Sequence, residues 1–169
     1  MDKISQQRIS LLHPKLRKEA EAILTEIETV LKGRAICRFT HTLRTWAEQT
    51  ALYNQGRTTP GQKVTNAKAG SSFHNYGLAI DIALVVDTDG NGTFDKGSWD
   101  TKGDYDGDKK SDWMECVAIF QKYGWEWGGN WTTFKDLPHF QKTFGKSITQ
   151  LKVLYQEKKF IPGTTYVNI

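Results

Sequence analysis

One apolar run near the middle of the chain, LAIDIALVV at residues 78–86, constrains the fold more than any other stretch. Its length and its content of Ile and Val predict a buried β-strand, yet Asp81 lies inside it. A carboxylate in apolar surroundings is costly unless it is paired or binds a metal ion. The run therefore predicts a buried strand together with a cationic partner for Asp81.

Asp81 ends a spaced pattern, Ser-x-His-x-x-Gly-x-Ala-x-Asp, which begins at Ser72 and includes His74. An imidazole and a carboxylate are typical zinc ligands, and a catalytic zinc usually has three protein ligands. His139 is the candidate third ligand, and Asp136 precedes it by three residues. Taken alone, His74 fits a structural histidine and Asp81 a strand end. Together these residues predict a water-activating metal site with a general base.

The same pattern resembles that of the zinc D-alanyl-D-alanine carboxypeptidases and L-alanyl-D-glutamate endopeptidases, the VanY-like peptidoglycan peptidases that include phage endolysins. The resemblance extends over roughly residues 40–141. It implies that His74, Asp81 and His139 bind one zinc ion and that Asp136 is the catalytic acid/base. The alternative for Asp136 is that its carboxylate only orients an imidazole.

Further site residues follow from the resemblance of RTWAEQTALYNQGRT to the family's segment before the metal motif. It implies that Arg57 holds or polarises the substrate, with a solvated arginine at a helix end as the alternative. Gln55 is a weaker candidate, and Ser72 is expected to form a hydrogen bond to a ligand or to the substrate. Trp127, in the segment WEWGGNW, is expected beside the cleft, although this segment fits a strand and turn in the core equally well.

An acidic insert follows the metal motif at residues 87–112. The segment DTDGNG begins like an EF-hand calcium loop, but the twelfth residue is Ser98 rather than the glutamate that such a loop needs. A second aspartate cluster repeats the spacing without the glycine at the expected position. The alternative is a turn-rich connection with hydrated carboxylates. The candidate calcium ligands are Asp87, Asp89, Asn91, Asp104, Asp106 and Asp108.

The remaining patterns predict an α+β fold in one peptidase domain, residues 1–169. Helical periodicity and capping signals predict helices at 14–32, 45–55 and 113–123, and a last helix capped by Ser147. Asp112 and Glu115 have the spacing of a capping box for the third of these. A strand is predicted at 35–43. We expect helices packed on a small antiparallel sheet that carries the zinc, as the resemblance to the hedgehog and D-alanyl-D-alanine peptidase fold implies.

Composition excludes several other classes of protein. The sequence contains no apolar run of about 18 residues, so we expect no transmembrane helix. Cys37 and Cys116 lie in apolar segments, which is typical of reduced cysteines in a protein core. The net charge of +4 comes from dispersed basic residues, which argues against nucleic-acid binding. The N-terminus lacks the apolar core of a signal peptide, so we expect a protein made in the cytoplasm. We also expect a monomer.

The resemblance implies that the substrate is the peptide stem of peptidoglycan. Aspartate rather than glutamate as the base, and the Gly-Arg-Thr element, are closer to the L-alanyl-D-glutamate endopeptidases of phage or prophage endolysins. Such a protein would reach the cell wall only after release from the cytoplasm. The alternatives are a D-alanyl-D-alanine carboxypeptidase or dipeptidase, and a non-catalytic module that binds the cell wall.

Overall fold

A five-stranded antiparallel sheet organises the molecule in a computed structural model that describes residues 2–169. The strands are β1 Ala35–His41, β2 Ala79–Val86, β3 Lys96–Ser98, β4 Glu126–Trp127 and β5 His139–Gln141. The α-helices are α1 Lys3–Ser10, α2 Arg17–Val30, α3 Trp46–Asn54, α4 Asp112–Lys122 and α5 Ile148–Gln156. Short 3₁₀ turns lie at Pro14–Leu16, Phe73–Tyr76 and Gly128–Asn130.

Strand β2 is the predicted apolar run, and it lies in the interior of the sheet. It pairs with β1 along one edge, and with β5 and then β3 along the other. Strand β4 extends the sheet beyond β5. Every pairing is antiparallel, so the predicted α+β class with an antiparallel sheet is confirmed.

The alternation of side chains along β2 separates the core from the site. Ile80 and Ile82 are fully buried in the hydrophobic core, so Asp81 between them lies on the opposite face of the sheet. His139 on β5 is the direct partner of Asp81, and directly opposed residues share a face. Phe140 therefore points into the core. The sheet thus places two candidate metal ligands side by side.

Helices on the core face of the sheet complete the fold. Helix α2 buries one stripe of its surface, at Ala20, Ile23, Leu24 and Ile27, as its periodicity predicts. It begins at Arg17 rather than at residue 14, because Pro14–Leu16 forms a 3₁₀ turn.

Helix α1 has no counterpart among the predicted elements. It docks against β1, where the Ser5 hydroxyl accepts a hydrogen bond of 2.9 Å from the backbone N–H of Phe39. The weak amphipathic pattern of this short helix gave no periodic signal, and its position depends on that tertiary contact.

The start of α4 corrects the predicted capping box. Ser111, not Asp112, is the N-cap, and its hydroxyl accepts a hydrogen bond from the backbone N–H of Met114 at 3.2 Å. The carboxylates of Asp112 and Glu115 are therefore not used to cap the helix. Among the described residues, no helix is long and apolar enough to cross a lipid bilayer.

Candidate metal centre and substrate cleft

Three side chains from separate parts of the sequence converge on the exposed face of the sheet. His74 Nε2 lies 3.1 Å from Asp81 Oδ1 and 3.2 Å from His139 Nδ1. His139 Nδ1 lies 3.0 Å from the same Asp81 oxygen. The structure therefore brings the three predicted ligands together as a nearly equilateral triangle of donor atoms.

The other nitrogen of each imidazole fixes its tautomer. His74 Nδ1 donates to the backbone carbonyl of Thr42 at 2.7 Å, which leaves Nε2 with a free lone pair. His139 Nε2 lies 3.1 Å from Gln141 Oε1 and donates to it. Gln141 is oriented in turn because its amide nitrogen donates to Glu126 Oε2 at 2.8 Å. Both lone pairs consequently point at Asp81.

This donor set fits a metal ion. Two imidazole lone pairs and a carboxylate face one another at 3.0–3.2 Å. Without a cation or a proton between them such acceptors repel. A tetrahedral zinc ion with bonds near 2.0–2.2 Å places its ligand atoms roughly 3.3–3.5 Å apart, close to the observed spacing. Burial opposes ionisation of Asp81, but the two neighbouring histidines lower the pKa of its carboxyl below the usual range.

The segment before β2 holds His74 in place. The Ser72 hydroxyl accepts a hydrogen bond from the backbone N–H of His74 at 3.3 Å and caps the 3₁₀ turn. Gly77 ends this turn with φ at +68°, and a β-carbon there would lie 2.8 Å from the backbone nitrogen of His13. Ser72 thus contacts the backbone of a candidate ligand. The close approach of His13 explains why the pattern contains a glycine at position 77.

A cleft of about 660 Å³ opens above the triangle, within the size range of ligand-binding sites. Asp136 lines it beside the three ligands, and among the described residues its carboxylate accepts no hydrogen bond. Burial raises the pKa of Asp136, and the negative charge of Asp81 adds to this effect. The loop is held by a hydrogen bond from the His139 N–H to the backbone carbonyl of Asp136 at 3.2 Å.

Arg44 is a cleft residue that the sequence did not single out. One of its guanidinium nitrogens lies 3.8 Å from Asp81 Oδ2, and another donates to Gln49 Oε1 at 3.2 Å. Gln49 is fully buried and donates to the carbonyl of Ala67 at 2.8 Å. The burial of Gln49 is visible only in the structure, so the sequence held no signal that would have identified Arg44.

Arg57 lies elsewhere and does not line the cleft. Its guanidinium donates to the carbonyls of Tyr53 and Thr65 and to Asn66 Oδ1. The guanidinium carbon also lies 4.1 Å from the centroid of the Tyr53 ring. Because Thr65 and Asn66 belong to the cleft wall, Arg57 holds that wall from behind. Gln55 is also outside the cleft, and its amide donates to the carbonyl of Gln62.

The aromatic residue beside the metal ligands is Trp131 rather than Trp127. Trp127 is 9% exposed, belongs to the hydrophobic core, and donates its indole N–H to the carbonyl of Leu137 at 2.7 Å. Trp131 lines the cleft, and its ring centroid lies 5.3 Å from that of His139. The segment WEWGGNW therefore both packs in the core, through Trp127, and contributes to the site, through Trp131.

The acidic insert forms two separate turns. Carboxylate oxygens of Asp104, Asp106 and Asp108 lie within 4.8 Å of one another. In the first turn, Asp87 Oδ1 accepts the backbone N–H groups of Gly90 and Asn91, and its Oδ2 accepts that of Gly92. None of the six candidate calcium ligands lines the cleft.

Comparison with known proteins agrees with this geometry. Residues 65–142 match a family model of M15 peptidases described as D-alanyl-D-alanine carboxypeptidase. The chain is 43% identical over 130 residues to the peptidoglycan L-alanyl-D-glutamate endopeptidase CwlK of Bacillus subtilis, covering 77% of this chain and 72% of that protein.

Two further proteins are similar over different extents. The L-alanyl-D-glutamate peptidase of Listeria phage A118 is 31% identical over 116 residues, covering 64% of this chain but only 34% of the phage protein. The crystal structure of the L-Ala D-Glu endopeptidase ChiX of Serratia marcescens aligns with a TM-score of 0.49 at 22% identity, covering 85% of this chain and 90% of that one. The similarity to CwlK over most of both chains, with the family match across the metal motif, shows that this chain belongs to the M15 family of metallopeptidases.

Proposed function

We propose that the chain is a zinc-dependent peptidase that cleaves the L-alanyl-D-glutamate bond in the peptide stem of peptidoglycan. The observation that carries this proposal is the convergence of His74, Asp81 and His139 at one end of a cleft that Asp136 also lines. The similarity to CwlK, whose name states this activity, supports the choice of bond.

The three converging side chains would hold the metal ion, and imidazole with carboxylate ligation favours zinc among the common divalent ions. Bound there, zinc would lower the pKa of a water molecule and polarise the carbonyl of the scissile peptide. The hydrogen bonds to Thr42 O and Gln141 Oε1 hold each imidazole with its other ring nitrogen turned towards Asp81, in the orientation that metal binding requires.

Asp136 is the proposed general acid/base. Its carboxylate takes a proton from the attacking water and later delivers it to the departing amine nitrogen. A pKa above the ordinary value of an aspartate suits both roles, because it lies closer to the pH at which the protein works, where the carboxylate can both accept and release the proton. The lack of a hydrogen bond to its carboxylate within the described chain leaves the group available for both transfers.

Arg44 is placed to hold the substrate in the role that the sequence suggested for Arg57. Its guanidinium faces the cleft and is anchored by buried Gln49, whereas Arg57 uses its donors on the loop behind the wall. A guanidinium at this position can bind a substrate carboxylate or a carbonyl oxygen that becomes negative. We assign Arg57 an indirect role, that of supporting the cleft wall.

Digestion of purified peptidoglycan with product identification by mass spectrometry tests the proposal. We expect cleavage to stop after zinc is chelated, to return on adding zinc, and to leave L-alanine on the glycan with stem fragments that begin at D-glutamate. Release of free terminal D-alanine alone would instead assign a D-alanyl-D-alanine carboxypeptidase or dipeptidase. Binding to the wall without any cleavage by the zinc-loaded protein would assign a non-catalytic module.

The remaining features are part of the same proposal. We treat residues 1–169 as one peptidase domain, because the hydrophobic core contains both Ile9 and Val167 from opposite ends of the chain. We propose that it acts as a monomer, in the manner of a phage or prophage endolysin that reaches the wall after release. Light scattering of the purified chain would measure its mass in solution, and a dimer would contradict this part.

A further inference from the structure

The second turn of the acidic insert has the features of a complete cation-binding loop. Counted from Asp104 as position 1, oxygen-bearing side chains lie at positions 3, 5, 9 and 12, which are Asp106, Asp108, Asp112 and Glu115. An EF-hand loop takes its ligands from positions 1, 3, 5, 7, 9 and 12, with a backbone carbonyl at 7 and a bidentate glutamate at 12. We propose that residues 104–115 bind one calcium ion.

Two buried carboxylate oxygens of this loop accept no hydrogen bond from the described residues, which indicates a binding site for a cation. The Asp106 side chain is 1% exposed, and its Oδ2 atom accepts no hydrogen bond within the described chain. Glu115 Oε2 is likewise buried without one. Such oxygens are costly to bury, because they lose their water without gaining a hydrogen bond. A calcium ion bound among Asp104, Asp106 and Asp108, whose oxygens already lie within 4.8 Å, would give them a direct ionic contact.

Two lysines at the rim only partly neutralise the cluster. Lys32 Nζ lies 3.4 Å from Asp106 Oδ2 and 3.5 Å from Asp108 Oδ2. Lys110 Nζ lies 3.3 Å from Asp108 Oδ2 and 3.7 Å from Glu115 Oε1. Their side chains are 57% and 67% exposed, so these contacts are weak. Five carboxylates against two exposed ammonium groups leave a net negative site.

Asp112, at position 9 of this loop, is fully buried. Its oxygens accept only long contacts of 3.3 and 3.4 Å from the backbone N–H of Tyr105. A divalent cation would add a strong contact to this buried carboxylate.

The backbone also adopts the loop conformation. Lys109, at position 6, has φ at +71°, where an EF-hand loop uses glycine. The first turn has Gly92 at the same position with φ at +84°. The missing glycine, which argued against this loop from sequence, is therefore replaced by a lysine held in the left-handed region. Helix α4 begins at position 9, Asp112, so a helix leads out of the loop as in an EF-hand.

The first turn of the insert, residues 87–98, lacks the acidic residue that an EF-hand loop needs at position 12. Its position 12 is Ser98, which instead shares a hydrogen bond of 2.9 Å with the hydroxyl of Tyr105. Both carboxylate oxygens of Asp87 accept hydrogen bonds from backbone N–H groups. We assign no ion to residues 87–98, and the turn serves as an internal control for the second one.

Calcium bound at residues 104–115 would fix the start of α4. Trp113, beside Asp112, is fully buried, and Phe120 on the same helix stacks on Phe140 with ring centroids 4.1 Å apart. Phe140 is the neighbour of His139 in β5. The ion would therefore stabilise the helix that packs behind the metal centre.

Calcium titration of the full chain, loaded with zinc, tests the site without measuring activity. By calorimetry we expect one calcium ion per chain, and a rise in the unfolding temperature of roughly 5–10 °C when calcium exceeds its dissociation constant a hundredfold. Magnesium should give a smaller rise, because it requires a tighter octahedral shell. Asp106→Asn and Glu115→Gln should each lose the response.

Asp89→Asn is the matched control, because Asp89 is at position 3 of the first turn and should leave the response intact. Terbium luminescence sensitised by Tyr105 gives a second readout, so that a variant of lower stability can still be compared at low temperature. No heat and no shift in the wild type at millimolar calcium would overturn the proposal. An undiminished response in Asp106→Asn and Glu115→Gln, or its loss in Asp89→Asn alone, would also overturn it.

Discussion

At the scale of single residues, the proposed metal centre depends on hydrogen bonds that the candidate ligands form with neighbouring residues. Glu126 orients the Gln141 amide, and the Gln141 oxygen accepts the Nε2–H of His139. This chain decides which nitrogen of His139 carries the lone pair. Thr42 does the same for His74 through its backbone carbonyl, which no side-chain substitution can remove. Gln141 is therefore the side chain whose substitution would remove one of these two hydrogen bonds to an imidazole.

We expect Gln141→Leu to weaken zinc binding by about 10–100-fold, because His139 loses the acceptor that fixes its tautomer. Competition with a zinc chelator of known affinity measures this change. Gln55→Leu is the control, since Gln55 lies outside the cleft and its amide contacts only the Gln62 carbonyl among the described residues. Equal zinc affinity for Gln141→Leu and the wild type would show that the hydrogen bond to His139 does not tune the site.

At the scale of elements, the sequence predicted the helix caps and the strand that depend on contacts between residues close together in the chain. Thr45 and Glu48 form the expected capping box of α3, and Ser147 caps α5. The apolar run formed β2, and its single carboxylate faces the two histidines. These features depend on residues a few positions apart, or on one residue type out of place in a regular pattern. Strand β2 and the capped helices were predictable for that reason, whereas the antiparallel sheet and the third candidate ligand, His139, were expected from the resemblance to a family.

The direction of cleft side chains was not predictable in the same way. Arg44 and Arg57 both flank α3, and only the packing of residues 65–67 decides which guanidinium faces the cleft. Trp127 and Trp131 likewise lie in different surroundings, because Trp127 is the last residue of β4 and Trp131 follows the 3₁₀ turn at Gly128–Asn130. The spacing predicts Glu115 in a capping box with Asp112, but the N-cap of α4 is Ser111. Each of these differences arises from tertiary contacts that the spacing of residues does not encode.

At the scale of the whole molecule, His13 joins the two ends of the chain. Its Nε2 donates to the carbonyl of Val167 at 2.9 Å, and its Nδ1 accepts the backbone N–H of Lys15. Both ring nitrogens are satisfied only when the imidazole is neutral. Burial lowers the pKa of His13, and the charges of Lys15 and Arg17 add to this effect. Protonation would therefore oppose the contact that holds the C-terminal tail.

This predicts a loss of stability on the acid side of neutrality. Because the pKa of His13 is lower in the folded than in the unfolded state, the unfolded chain binds the additional proton first as pH falls below about 6.5. The unfolding temperature should fall from pH 7.5 to pH 5.5, and less steeply in His13→Gln. Tyr166→Phe, which removes a hydrogen bond to Leu11 from the same contact region without removing the histidine, should keep the wild-type slope. Identical slopes in His13→Gln and the wild type would contradict this role.

The most direct test of the central claim measures zinc content and hydrolysis together in Asp136→Asn. The claim is that three side chains hold the ion while Asp136 moves the proton, so the variant should keep about one zinc per chain and lose activity on the L-alanyl-D-glutamate bond by at least about 100-fold. If Asp136 only oriented an imidazole, zinc affinity would fall with the activity. A zinc-loaded Asp136→Asn variant that cleaves peptidoglycan within a few-fold of the wild-type rate would contradict the account.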